Sequence, residues 1–411
     1  MSETTTHDFQ LPPEQQAIRA KCFHPSGTFV EFPIEDVETS IPARFEKMVR
    51  MYPNHLAFKI VDKAATYAEI SALANQFAHE LVDKLGLGSE PVGILLENGV
   101  ELLAATFGVL KAGKFVVSVD PYFPKERAKA IFDESQTRLI ITDATNVTAA
   151  RALSAKAASL TGGSIGPTVS AENINLSIPA TSPAFLICTS GSTGIPKSVI
   201  HNHRSRLYGV MERANAFHLS QNDNVSLLSS GTANSIGNSL RTLLTGASLH
   251  AFDLKKYGIA TLAKWLSEEK ITVCSISASL FREFCKTRTG QESFRDLRIL
   301  GLRSESVWKT DVELYKKYFP PSCFLVNGIS VSEAGLLAMY FLDHQREVCG
   351  NEVPVGYAVK DKEISLIDDD GKDVGFNRVG EIVVRSKYLF PGYWKNPDLT
   401  TAKFKPDPQD P

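Results

Sequence analysis

An apolar run, Phe185-Leu-Ile-Cys188, breaks off into Thr189-Ser-Gly-Ser-Thr-Gly-Ile-Pro-Lys197. A strand that feeds straight into small hydroxylated residues and glycines, and then a Pro-Lys pair, suits few purposes. Thr189, Ser190, Ser192 and Thr193 supply hydroxyl donors, while Gly191 and Gly194 let the backbone approach an oxyanion closely. Successive N–H groups in such a turn form an anion-binding nest, and Lys197 adds a full positive charge. The natural guest is a polyphosphate. The spacing differs from the P-loop pattern Gly-x-x-x-x-Gly-Lys-[Ser/Thr]. Most Ser/Gly tracts are flexible surface loops; here the preceding strand and the closing Pro-Lys argue against that.

Strands and helices alternate on both sides of this segment. Tyr67–Leu85 sets Ile70, Leu73, Ala74, Phe77 and Leu81 on one helical face. Val92–Leu96, Phe115–Val119 and Arg138–Thr142 read as buried strands, with helices over Val100–Ala112 and Pro124–Glu134 between them. Further strands are expected at Asn224–Leu228, Ser248–Phe252, Thr272–Ile276, Ile299–Leu302 and Cys323–Val326. Such alternation implies mostly parallel sheets covered on both faces. A chain of 411 residues exceeds one ordinary core. The expectation is an α/β protein: two α/β subdomains with mostly parallel sheets packed together, plus a smaller β-rich, barrel-like subdomain. A polar leader would occupy 1–39, the first α/β unit 40–180, and the second, with the phosphate loop, 181–345. The β-rich unit would occupy 346–411, where Glu363–Ile367 and Gly380–Arg385 alternate with period two. The Pro/Asp-rich tail reads as a cut before a hinge.

Composition excludes several classes. A net charge of −2 lacks the basic excess of nucleic-acid binders. No apolar run reaches the roughly 18–20 residues that span a bilayer. Six scattered cysteines, without a Cys-x-x-Cys pair, suggest reduced thiols, a cytoplasmic location and no zinc site.

From Ser40 to Pro411 the chain resembles the acid-activating adenylate-forming enzymes, and most closely the adenylation domains of nonribosomal peptide synthetases. Ala65-Thr-Tyr-Ala-Glu-Ile70 matches the first core motif, and Lys111-Ala-Gly-Lys…Asp120-Pro-Tyr-Phe-Pro124 the second. Thr189–Lys197 matches the phosphate loop, Asn327-Gly-Ile-Ser-Val-Ser-Glu333 the Asn-x-Tyr-Gly-x-Thr-Glu motif, and Gly380-Glu381 through Gly392-Tyr393 the last. The resemblance implies attack of a substrate carboxylate on the α-phosphorus of ATP, giving an acyl-adenylate and pyrophosphate. Catalysis would rest on positioning and charge stabilisation. It assigns the β- and γ-phosphates to Thr189, Ser190, Gly191, Ser192, Thr193, Gly194 and Lys197, and Mg²⁺ to Glu333. Mg²⁺ suits one carboxylate plus phosphates and water. Ser332 keeps a hydroxyl for the α-phosphate, and Asn327 and Gly328 would frame the adenine. The product would pass to the phosphopantetheine thiol of a partner carrier domain. The small mobile C-terminal subdomain of the family would be a second partner, and without it the chain would form adenylate poorly.

The chain departs from the family at several places. Ile329 stands where a tyrosine stacks on adenine, and Ser330 and Ser198 replace glycines. Arg303-Ser304-Glu305 occupies the place of Gly-Gly-Glu beside the base. Where amino-acid-activating relatives carry an Asp for the substrate ammonium, this chain offers Ala233 or Asn234, followed by Gly237. Other pocket positions map to Leu300, Leu302, Gly328, Leu336 and Leu337, small or apolar. A buried ammonium without a counter-charge costs several kcal/mol, so the acid is expected not to be an ordinary α-amino acid. His203 matches a family histidine near the pocket, with a hydrogen bond inside the core as its stronger reading; His201 has no matching role. The competing readings are a freestanding acyl-CoA or fatty-acyl-AMP ligase and a non-catalytic adenylation-like scaffold.

Overall fold

The computed structural model describes residues 11–27, 29–153, 158–162, 165–166, 168–190, 196–228, 233–375 and 377–406. The chain opens with α1 (Pro13–Arg19) and α2 (Ile41–Met51), then the strand pair β1 (Leu56–Ile60) and β2 (Lys63–Thr66). Next come α3 (Tyr67–Leu85), β3 (Pro91–Leu95), α4 (Val100–Lys111) and β4 (Phe115–Ser118). They are followed by α5 (Lys125–Ser135), β5 (Leu139–Thr142), α6 (Val147–Leu153) and β6 (Ala158–Thr161). Then β7 (Pro183–Ser190) and β8 (Pro196–Asn202) lead into α7 (His203–Ala216), β9 (Asn224–Leu227), α8 (Ala233–Leu243) and β10 (Ser248–Ala251). The remaining large-sheet strands are β11 (Val273–Ser277), β12 (Ile299–Arg303), β13 (Phe324–Val331), β14 (Gly335–Leu342) and β15 (Tyr357–Ala358). Short strands β16 (Glu363–Ile367), β17 (Glu381–Arg385) and β18 (Gly392–Tyr393) close the series.

Two large sheets result, as the alternation of elements implies. One has seven strands in the order β18-β8-β7-β4-β3-β5-β6; the other has nine, β15-β14-β13-β12-β11-β9-β10-β1-β2. Both are parallel in the middle and antiparallel at an edge: β7–β8 and β8–β18 in the first, β13–β14, β14–β15 and β1–β2 in the second. Sheet membership crosses the expected division at 180–181. Strands β1 and β2 belong to the nine-stranded sheet, and β7 and β8 to the seven-stranded one. The expected barrel-like unit is corrected: among the described residues β16 and β17 form a two-stranded ribbon, while β15 and β18 extend the large sheets. Two-residue strands bury too little to stand alone and instead satisfy open edges.

Helices α3 and α4 pack tightly because Gly108 leaves no room for more: a Cβ there would lie 2.5 Å from the Cβ of Phe77. Phe45 stacks on Phe107 at 3.8 Å across the same seam. The lysines of the second sequence motif are buried here. Lys111 donates to Glu46 at 2.5 Å, Ser71 at 3.0 Å and Asn75 at 2.5 Å. Lys114 donates to Glu90 at 2.6 Å and to the carbonyl of Gly86 at 3.0 Å. Between them Gly113, at φ +73°, turns the chain from α4 into β4. A second polar clamp ties β9 to β12: Arg298 makes two 2.8 Å bonds to Asp223 and a 2.7 Å bond to the Phe217 carbonyl.

Candidate functional site

The antiparallel pair β7–β8 brings Thr189 opposite Lys197 and Ser190 opposite Pro196. Loop residues Gly191, Ser192, Thr193 and Gly194 lie outside the described residues, as do the side chains of Thr189 and Ser190. Their flanks are fixed. Cys188 pairs with Ser198 in the ladder, and their side chains meet at 3.0 Å, giving the serine that replaces a glycine a half-buried thiol partner. Farther along β8, His201 reaches the β13–β14 turn, its Nε2–H donating to the Ser332 carbonyl at 3.0 Å. Because a carbonyl only accepts, Nδ1 carries no proton. Burial, with the neighbouring Arg206, holds the His201 pKa well below its usual range, so the ring is neutral. Phe390 covers that ring at 3.6 Å.

The same turn carries Glu333. The Tyr393 hydroxyl donates to its Oε1 at 2.8 Å, and its carbonyl accepts from Phe390 N–H at 3.3 Å. Tyr393 lies in β18, whose partner across the ladder is Val199 of β8. The Gly392-Tyr393 end of the last sequence motif therefore locks the glutamate turn to the strand leaving the Ser/Gly loop. Lys362 supports the turn from below, donating to the carbonyls of Ala334 and Leu336. Burial lowers its pKa to about 8. Glu333 offers one carboxylate with an oxygen not taken by Tyr393, which fits a Mg²⁺ ion completed by phosphate and water. Among the described residues no group of three His, Cys, Asp or Glu could hold a metal by itself.

Beside this turn opens a cavity of about 660 Å³. The expected residues Gly237, Leu302, Arg303, Ser304, Glu305, Asn327, Gly328, Ile329, Ser330, Ser332 and Leu336 line it. Gly328 is required by close approach: a Cβ would sit 2.7 Å from the Ala338 carbonyl. Gly237 is different, since a Cβ there meets nothing and would enter open space. Asn327 spends its amide on the protein, donating to the carbonyls of Pro354 at 2.9 Å and Val353 at 3.3 Å, so it anchors a cavity wall. Ser304 adopts φ +72°, a backbone that glycine takes at no steric cost, which explains the family's glycine there. Glu305 accepts from the Ser279 N–H and hydroxyl at 2.9 and 2.8 Å.

Two expected pocket residues stand elsewhere, and these assignments are corrected, while His203 makes the core hydrogen bond that was its stronger reading. Leu300 and Leu337 are buried in the packed core outside the cavity wall; Leu300 shares a face of β12 with the lining Leu302 but lies farther from the strand end at which the cavity opens. His203 opens α7 fully buried, and its Nδ1 accepts from the Ile41 N–H at 3.2 Å, satisfying an otherwise orphaned donor at the start of α2. Burial lowers its pKa to about 4. Ala233 and Asn234 begin α8, with their side chains outside the described residues.

The lining also holds what the sequence reading missed. Arg206 and Arg213 from α7, and Arg241 from α8, join Arg303 around the cavity. Arg206 and Arg213 are seven residues apart, two turns along one helix face. Charged residues recurring at the spacing of an apolar stripe were the available signal. Arg241 is only 2% exposed, yet its Nε has no partner among the described residues; Nε and Nη2 of Arg206 also lack one there. Burial, then the repulsion of Arg213, lowers Arg206 to about 10; burial and the same neighbour lower Arg303 to about 9. The expectation of a small or apolar pocket is corrected accordingly.

Comparison with known proteins accords with this geometry. A family model described as AMP-binding enzyme matches residues 45–394. Gramicidin S synthase 1 of Brevibacillus brevis is 28% identical over 400 residues, covering 94% of this chain and 34% of its own length. The chain thus spans about a third of that relative. Among solved structures, the Klebsiella oxytoca NpsA N-terminal subdomain in complex with 3-hydroxybenzoyl-AMSN superposes with a TM-score of 0.77 at 20% identity, over 89% of this chain and 90% of that one. NpsA-ThdA, an artificially fused adenylation–PCP di-domain from the same organism, gives 0.76 at 20% identity, over 89% and 72%. The solved structures speak for the fold. Since the family model takes in most of the chain, including both strands that flank the Ser/Gly loop and the turn that holds Glu333, the chain belongs to the AMP-binding enzyme family.

Proposed function

We propose that the chain activates a carboxylic acid as its acyl-adenylate, with release of pyrophosphate, for transfer to a carrier-bound phosphopantetheine thiol in nonribosomal peptide synthesis. The observation that carries this reading is the double tie from the phosphate-loop strands to the glutamate turn, His201 to Ser332 and Tyr393 to Glu333, beside a large cavity. In the reaction a carboxylate oxygen forms a bond to the α-phosphorus of ATP, and the bond from that phosphorus to the bridging β-phosphate oxygen breaks. Thr189 through Gly194 and Lys197 hold the β- and γ-phosphates, and the Ser332 hydroxyl donates to the α-phosphate. Glu333 would hold Mg²⁺, which when bound would supply positive charge against the pyrophosphate leaving group. Ile329 and Gly328 cover the base, and Leu302, Leu336 and Gly237 flank the acid. No carboxylate faces the acid from the described part of α8, which supports an acid other than an ordinary α-amino acid. The carrier partner rests on the resemblance to adenylation domains of peptide synthetases.

The test is acid-dependent pyrophosphate exchange and hydroxamate formation with a carboxylic-acid panel, with the family's small C-terminal subdomain supplied. Activity with at least one acid is expected, with Glu333→Gln lowering it about 10²-fold. A folded chain that binds ATP·Mg²⁺ but gives no exchange with any acid would sink the reading in favour of a non-catalytic scaffold.

A further inference from the structure

Four guanidinium groups line the cavity, and none has a carboxylate among the described residues within ion-pair distance. Arg241 and Arg303 instead share one neutral acceptor, the Asn238 Oδ1, at 3.2 and 3.1 Å. Asn238 is itself 2% exposed, so the pair is held rigidly side by side. Arg206 lies over the Phe185 ring at 5.4 Å and Arg241 over Phe217 at 5.2 Å, contacts that orient a guanidinium without neutralising it. Two glutamates share the lining: Glu305 is used by Ser279, and Glu352 is exposed and forms no ion pair with these arginines among the described residues; Glu333 is used by Tyr393, and Glu212 faces Arg19 and Lys360. Buried arginines ordinarily come with a carboxylate or phosphate, because taking the charge out of water is costly. A planar donor fork with buried, unpartnered N–H groups matches an oxyanion in two-point fashion.

We propose that the acid activated in this cavity is a di- or tricarboxylic acid, whose non-reacting carboxylates are held by Arg206, Arg213, Arg241 and Arg303. The inference deepens the adenylating reading above and rests on it for the reacting carboxylate alone. One carboxylate goes to the α-phosphorus, and the others neutralise the arginine wall. The same wall repels a substrate ammonium, a stronger exclusion of ordinary α-amino acids than the missing aspartate gives. The open space beyond Gly237 leaves room for a branched acid.

Direct binding to the full chain is measured by calorimetry, with ATP·Mg²⁺ titrated separately. The probes are butanoate, succinate, glutarate, tricarballylate, alanine and 3-phosphoglycerate. A di- or tricarboxylate is expected to bind at least tenfold tighter than butanoate, with alanine weakest. Arg241→Met and, separately, Arg206→Met should bring that ratio close to one while leaving ATP·Mg²⁺ affinity unchanged; circular dichroism verifies that each variant folds. Should Arg241→Met misfold, Arg241→Lys serves in its place, with the ratio falling at least threefold through loss of the two-point contact. Equal binding of butanoate and the polycarboxylates, or no binding by any polycarboxylate, overturns the proposal. So does loss of ATP·Mg²⁺ affinity in the arginine variants, which would make the wall a nucleotide site. Tightest binding by 3-phosphoglycerate overturns the carboxylate assignment in favour of a phosphorylated acid. A polycarboxylate that binds while no acid supports pyrophosphate exchange upholds the arginine wall as a polycarboxylate site and sinks the adenylating reading instead.

Discussion

Arg298 and Arg241 are both buried arginines, at 5% and 2% exposure, and their surroundings differ in kind. Arg298 sits in a closed clamp. Its guanidinium meets Asp223 through two 2.8 Å bonds and spends its other donors on the Phe217, His218 and Cys22 carbonyls. Thr272 donates to the same aspartate at 2.6 Å, so the acid is satisfied as well. Arg241 has one amide oxygen, an aromatic face and an orphaned Nε, with like charges from Arg303 and Arg213 nearby. The first arrangement completes itself on folding. The second is complete only with an anion from outside. Burial alone therefore does not tell structure from function in this molecule; the presence of a counter-charge within the chain does.

The comparison breaks most visibly at Asp223. Asp223→Ala leaves Arg298 buried without its acid, and a loss of about 3–5 kcal/mol is expected in urea unfolding. A loss below about 1 kcal/mol would show that the clamp is not structural. Acid separates the regions next. His203, fully buried, has its pKa lowered to about 4, and burial also holds His201, beside Arg206, well below its usual range. Between pH 6.5 and 4 the unfolded chain takes up protons that the folded histidines refuse, so their contribution to stability falls as pH falls through that window, while buried Glu212, its pKa raised to about 7, works in the opposite direction. His203 alone accounts for about 3 kcal/mol. Unfolding midpoints at pH 7, 5.5 and 4.5 read this directly, and His203→Gln should flatten the decline. The smallest effect has the opposite sign. Arg241→Met removes a buried charge with no carboxylate partner, so the unliganded protein should gain about 1 kcal/mol and melt higher even as acid binding is lost. Destabilisation of 3 kcal/mol or more would mean that Arg241, like Arg298, is a structural clamp.

Much of the framework was legible because local patterns and tertiary needs coincide. The helix over Tyr67–Leu85 appears with the expected bounds, capped by the reciprocal Thr66–Glu69 pair. The strand runs at Phe115, Leu139, Asn224, Ser248 and Ile299 all join sheets with parallel neighbours. The cavity wall around Asn327–Ser332 was legible because a contiguous motif keeps its residues together in space. Less legible were residues whose meaning depends on what lies opposite. Leu300 and Leu337 looked like pocket residues, but neighbouring elements pack over them and leave them in the core. Tyr393 marked a motif without revealing its partner, Glu333, sixty positions away in the chain.

Sequence alone determined the α/β character, the oxyanion-binding composition of Thr189–Lys197 and the lack of an aspartate near Ala233, since each is written in consecutive residues. Tertiary structure decided that four arginines, from residues 206 to 303, line a single cavity with no carboxylate of the described residues at ion-pair distance. An arginine in a string of letters carries no sign of its counter-charge. Whether that charge is supplied by Asp223 across a sheet or left to a ligand depends on which side chains the packed helices and strands bring within about 4 Å, a distance at which unit charges interact by roughly 4 kcal/mol near a protein surface.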